Sequence, residues 1–180
     1  MFNLKSHEST GTIAKVLCAL SLAVTCAPAW SDDNRPKFEM AVYSDAPQGM
    51  RILSGKYDQA IAKINTKSFS ADHLHVKTNL CVAYIKAGDV DAAETVCEEA
   101  VVAAKSLNNV RTSTFIGQSA AKVRARHLAI ALSNRGVVKA VRGEFEAAKE
   151  DFDAALAQRS GISSIETNIE RLQIADEESA

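Results

Sequence analysis

Apolar and small residues recur at helical spacing along the chain beyond Pro47, and no proline interrupts them from there to Ala180. Within that stretch one block occurs three times, as Gly55-Lys56-Tyr57-Asp58-Gln59-Ala60, Gly88-Asp89-Val90-Asp91-Ala92-Ala93 and Gly143-Glu144-Phe145-Glu146-Ala147-Ala148. Each time a hydrophobe follows the glycine by two residues and an alanine by five. The glycine supplies the left-handed residue that ends one helix. The pattern predicts a short helix over Met50 to Ser54, another from Lys56 to about Lys67, and helices on both sides of Gly88 and Gly143. A capping helix is expected over Ile162 to Ala175, with Ile165, Ile169 and Leu172 on one side and Glu166, Glu170 and Arg171 on the other. Small residues (Ala83, Ala93, Gly136, Ala148) let helix axes approach while Leu80, Tyr84, Phe145 and Phe152 fill the space beside them. The fold class is therefore all-α, and a plain N-terminal start at Asp72 is expected for the helix that follows it.

The spacing of these blocks is regular apart from one interruption. Gly88 follows Gly55 by 33 residues, and Gly143 follows Gly88 by 55, which is one period of 34 plus an insertion of 21. Asn79 and Asn134 each stand nine residues before a glycine, and Asn168 follows Asn134 by 34. The stretches Asn79 to Val101 and Ser133 to Leu156 are similar to the tetratricopeptide repeat, two antiparallel helices per unit of about 34 residues. The resemblance covers about residues 48 to 175 and implies an α-solenoid of some two and a half to three repeats, with a C-terminal capping helix. The first unit departs from it, because Pro47 and Gly49 leave room for only a short first helix. The insertion, residues 106 to 128, reads as a loop from Leu107 to Gly117 and then a helix running from Gln118 to Arg142. It would fold over the concave face or form a contact between copies.

What the resemblance implies for function is a concave binding face lined by first helices. Asn79, Asn134 and Asn168 fall where such proteins place side chains on that face, and an amide, donor and acceptor at once, suits the main chain of an extended peptide. The competing account has each asparagine bonding a neighbouring helix. Val123, His127, Ile130, Val138 and Val141 share the stripe of Asn134, so the face there is expected to be largely apolar, or else buried by the insertion. Arg135 and Asp151, on opposite arms of one hairpin, match a pair that similar repeats use as an internal salt bridge.

The N-terminus carries an address. Lys5 and Lys15 precede an apolar run of eleven, Val16 to Cys26, too short to span a bilayer, and small residues follow at Ala27, Ala29 and Ser31. This is the plan of a secretory signal peptide over residues 1 to 30; an uncleaved anchor and a lipoprotein signal at Cys26 are the alternatives. Residues 31 to 47 are expected as an extended linker and 176 to 180 as an acidic tail. No further apolar stretch of spanning length follows, so no stable membrane insertion is expected after cleavage, and a bacterial periplasm is favoured over secretion. Export leaves Cys81 and Cys97, which face each other across the Gly88 hairpin at similar distances from the turn. An oxidising compartment invites a disulfide between them, the alternative being two buried free thiols.

Charge changes the picture in one region. Overall the chain holds 21 Lys and Arg against 22 Asp and Glu, which gives no pull towards nucleic acid. From Ala100 to Gly143, however, there is no acid and eight bases, while Glu144, Glu146, Glu150, Asp151 and Asp153 crowd the next helix. Pairing between adjacent helices is one reading; a basic patch for an anion at Lys122, Arg124 and Arg126 is the other. Histidines 73, 75 and 127 form no catalytic set with a nucleophile, and His73 and His75, two apart, do not share a helix face as metal ligands would. The expectation is an exported, non-catalytic adaptor for a protein or peptide, needing no cofactor or metal. The rivals are an anion- or small-ligand-binding accessory subunit and a purely structural part of an envelope complex, in which the apolar outer faces matter more than the groove.

Overall fold

The structure, a computed structural model, describes residues 37–66, 73–107, 120–158 and 161–179. The signal segment and, apart from Leu107, which continues the helical backbone at the end of the helix Val90–Ser106, the loop part of the insertion lie outside the described residues. Among the described residues seven helices follow one another: α1 Gly49–Leu53, α2 Tyr57–Thr66, α3 Leu74–Ala87, α4 Val90–Ser106, α5 Ala120–Val141, α6 Phe145–Ala157 and α7 Ser163–Ser179. There is no strand among the described residues. Most helix ends fall within two residues of expectation. The last does not: Asp176 to Ser179, expected as a tail, continue α7, since no glycine or proline there breaks a helix. The N-cap of α3 is His73 rather than Asp72, which lies outside the described residues, and no side chain caps that end.

The three glycine turns share one local geometry. Gly55, Gly88 and Gly143 have φ of 74°, 87° and 79°. At Gly88 the amide donates to the Ile85 carbonyl at 3.1 Å and the next amide, of Asp89, to that of Tyr84 at 3.0 Å. The same pair of bonds recurs at Gly55 with Ile52 and Arg51, and at Gly143 with Ala140 and Lys139. These bonds satisfy carbonyls that a helix end otherwise leaves open. After the second turn Asp89 caps α4, its carboxylate accepting from the Ala92 amide at 3.1 Å.

The turns fold each helix back along its neighbour. Helix α3 packs on α4, α4 on α5, α5 on α6 and α6 on α7, while α1, α3, α5 and α7 also touch in succession to form one row. Small residues set how closely the helices pack: Ala83, Ala93 and Ala148 are fully buried. A Cβ on Gly136 would stand 2.8 Å from the Phe152 ring and 3.2 Å from the Ala148 carbonyl oxygen. Gly136→Val should therefore force α5 and α6 apart, at a cost of roughly 1–3 kcal/mol for overpacking. Urea unfolding followed by circular dichroism checks this; an unchanged midpoint would mean that the contact is loose.

Candidate functional site

The row of odd-numbered helices is not bare. Residues 37 to 43, expected as linker, are extended and lie across α7, α5 and α3, against the chain order of those helices. The three asparagines hold this segment. The Glu39 amide donates to Asn168 Oδ1 at 2.8 Å, and Asn168 Nδ2 donates to the Glu39 carbonyl at 2.8 Å. Asn134 makes the same pair with Ala41, both at 2.9 Å. Asn79 repeats it with Tyr43, at 2.8 and 2.9 Å. Alternate residues are taken because the amide and carbonyl of every second residue point to the same side of an extended chain.

All three asparagines are at most 1% exposed. Deep burial excludes water as a partner, so each amide depends on the segment's main chain. The intervening residues point into the core. Phe38 stacks on Phe152 with ring centroids 6.3 Å apart, Met40 packs against three of the four core clusters, and Val42 joins the one around Ile52 and Val82. At the entry end Arg171 reaches the Lys37 carbonyl and pairs with the Glu39 carboxylate at 2.9 Å.

The far end closes on a ring cluster. Tyr43 stacks on His75 with centroids 4.0 Å apart, and His75 and His127 lie 4.9 Å apart. The Tyr43 hydroxyl stands 2.7 Å from His127 Nδ1, a separation that suits donation to the bare nitrogen of a neutral ring. Burial lowers the pKa of both imidazoles; Asp45 opposes this at His75, His73 reinforces it there, and His75 and Arg126 reinforce it at His127. Burial also raises the Tyr43 phenol pKa, so that ring stays neutral at any ordinary pH.

Around this site the remaining expected residues take distinct places. Arg135, on α5, grips Asp151 through Nε at 2.7 Å and Nη2 at 2.5 Å and also reaches Glu98 on α4; Lys139 adds a contact to Asp151 at 2.9 Å. The arginine stays charged because its hydrogen bonds to Asp151 outweigh its burial. Arg142 pairs with Asp91, Glu94 and Glu144, so the bases at this end of the acid-free stretch serve pairing between helices. Lys122 and Arg126 stand about one turn apart on α5, with Arg124 two residues from each. Cys81 and Cys97 meet across the α3–α4 hairpin at disulfide distance, Cα to Cα 5.1 Å. Among the described residues no group of three or more metal-binding side chains occurs, and no helix is long and apolar enough to cross a membrane. No family model, curated protein or solved structure matches the chain.

Sequence reasoning placed the asparagines on one face of the helix row but missed the segment that they bond, and with it Tyr43. The signal was present in Phe38-Glu39-Met40-Ala41-Val42, an alternation of period two just ahead of the helical pattern. The ring cluster has a consequence for acid stability. Because the folded chain favours neutral imidazoles, the unfolded chain takes up protons first on acidification. The stabilisation is complete above about pH 6.5, the unperturbed histidine value, and is lost as pH falls from there towards the lowered folded values. Melting temperatures between pH 7.5 and 5.5 should fall more steeply for the wild type than for a His75→Phe, His127→Gln variant. Parallel curves would remove the histidines from the account.

Proposed function

We propose that the chain is an exported, tetratricopeptide-like adaptor that holds extended peptide on the face lined by Asn79, Asn134 and Asn168, without catalysis. One observation carries the reading: each asparagine pairs with both main-chain groups of one residue, a mode of capture that ignores side-chain identity. The repeat assignment is supported by the shared geometry of the three glycine turns and by the row formed by α1, α3, α5 and α7. Export to a periplasm is supported by the signal-like N-terminus and by the placement of Cys81 against Cys97, where a bridge would form in an oxidising compartment. The bridge would pin the helix that bears Asn79 to its partner.

In this reading the segment 37–43 occupies the peptide site, and any client must displace it. A tethered occupant acts at an effective concentration of the order of millimolar, so the apparent affinity for a client falls by the fraction of time the site is open. Ala41→Pro tests this directly. Proline lacks the N–H that Asn134 accepts, yet its φ suits an extended chain, so the segment is weakened without touching a helix. Leaving a buried acceptor unpaired costs about 1–3 kcal/mol, which raises the open fraction about five- to 150-fold. Capture of envelope proteins or fluorescent extended peptides by Ala41→Pro should exceed wild-type capture by a comparable factor. Adding Asn79→Ala and Asn134→Ala should abolish it, with circular dichroism confirming retained helix. Capture that is indifferent to all three changes and falls steeply with salt would favour the anion-binding alternative around Lys122, Arg124 and Arg126.

A further inference from the structure

The three asparagines that clamp the main chain of segment 37–43 lie far along the chain. Its clamps are 36, 93 and 129 residues away, and its only covalent link to them begins with the five residues Ser44 to Gln48. That link is strained. Gln48 adopts φ 63°, ψ 5°, a left-handed conformation that glycine or asparagine takes readily and glutamine does not. Its Oε1 is buried with no hydrogen-bond partner among the described residues. Just beyond, Gly49 is pressed on Tyr43: a Cβ there would overlap the Tyr43 carbonyl oxygen and stand 2.9 Å from Ser44 Cα. The turn is closed by single bonds, Ala46 N–H to the Tyr43 carbonyl at 3.3 Å and Gly49 N–H to that of Ala46 at 3.0 Å.

Straightening this link would relieve Gln48, return its amide to water and, with the loss of the turn bond from Ala46 to the Tyr43 carbonyl, keep the three asparagine pairs of the segment, provided the segment finds an equivalent seat. Pro47 favours the straight form, since the residue before a proline is biased towards extended conformations. Five extended residues reach roughly 17 Å. The occupant whose fit to the seat is on view, backbone pairs, Phe38 on Phe152, Tyr43 against His75 and His127, is this chain's own segment. A second copy supplies it without any new surface.

We infer that two copies of this protein exchange residues 37–43, each seating its segment across α7, α5 and α3 of the other. The exchange is reciprocal, so it closes as a two-fold dimer rather than growing into a fibre, and short strained hinges are known to invite it. It stands whether or not a foreign peptide enters the site.

Glu39 and Arg171 pair across the seat at 2.9 Å, which gives a direct test. The exported protein is prepared as Glu39→Cys and, separately, as Arg171→Cys; the two are mixed near millimolar concentration and treated with a short bismaleimide. A covalent heterodimer is expected, with the linkage between positions 39 and 171 read by peptide mass spectrometry. Gln48→Gly, which suits the left-handed turn, should lower its yield at least threefold. A single chain carrying both cysteines, kept dilute, should cross-link within itself and so report that the segment is seated. Cross-linking confined to single chains even at high concentration would overturn the exchange, as would a heterodimer yield that Gln48→Gly leaves unmoved.

Discussion

Three side-chain amides buried in a row of helices must find partners for both of their polar ends. Helix backbones cannot serve, because their own amides and carbonyls are already used within each helix. An extended segment can, since every second residue offers one donor and one acceptor in the same direction. The paired bonds at Glu39, Ala41 and Tyr43 are thus mutual: among the described residues the segment has no strand neighbour, and the buried asparagines are shut off from water. Removing either side leaves buried polar groups unpaired, which is far more costly than the small net gain of any one bond. The apolar face of the segment then completes the core, with Met40 joining the clusters around Phe152, Val82 and Cys81.

Such a ladder works only if the rungs keep their spacing. Two residues of extended chain advance about 6.7 Å, whereas helix axes pack about 8–10 Å apart, so the side chains bridge a mismatch that leaves little slack. Two features hold the frame. The nearly buried Asp151 carboxylate is shared by Arg135 and Lys139 of α5, while Arg135 also reaches Glu98 on α4. That network joins α4, α5 and α6 directly behind Asn134. Cys81 lies two residues from Asn79 on α3 and meets Cys97 of α4. Both features place their tie one helical turn or less from an asparagine that holds the segment.

Local chemistry in this chain is legible from sequence, and distant pairing is not. The helices, the glycine turns and the facing cysteines depend on residues within about twenty positions of each other, and the pattern of hydrophobes, glycines and cysteines reveals them. The placing of Asn79, Asn134 and Asn168 on one face follows from the regular period. Their partner does not, because the segment lies up to 129 residues away from its clamp and its alternation says only that it is extended. His127 was readable as a groove residue from its stripe with Asn134, yet Tyr43, which gives it a role, is 84 residues distant. The acid-free stretch shows the same limit: the resemblance implies the Arg135–Asp151 pair, but composition cannot tell that Arg135 also reaches Glu98 or that Arg142 meets Asp91 and Glu94 on α4.

Native-state hydrogen exchange at single-residue resolution across residues 37 to 43 tests the central claim most directly. If the asparagine ladder holds the segment, the amides of Glu39, Ala41 and Tyr43 exchange slowly and together, tracking the opening of the ladder. Uniformly fast exchange through the whole segment, with α3, α5 and α7 still protected, would contradict it.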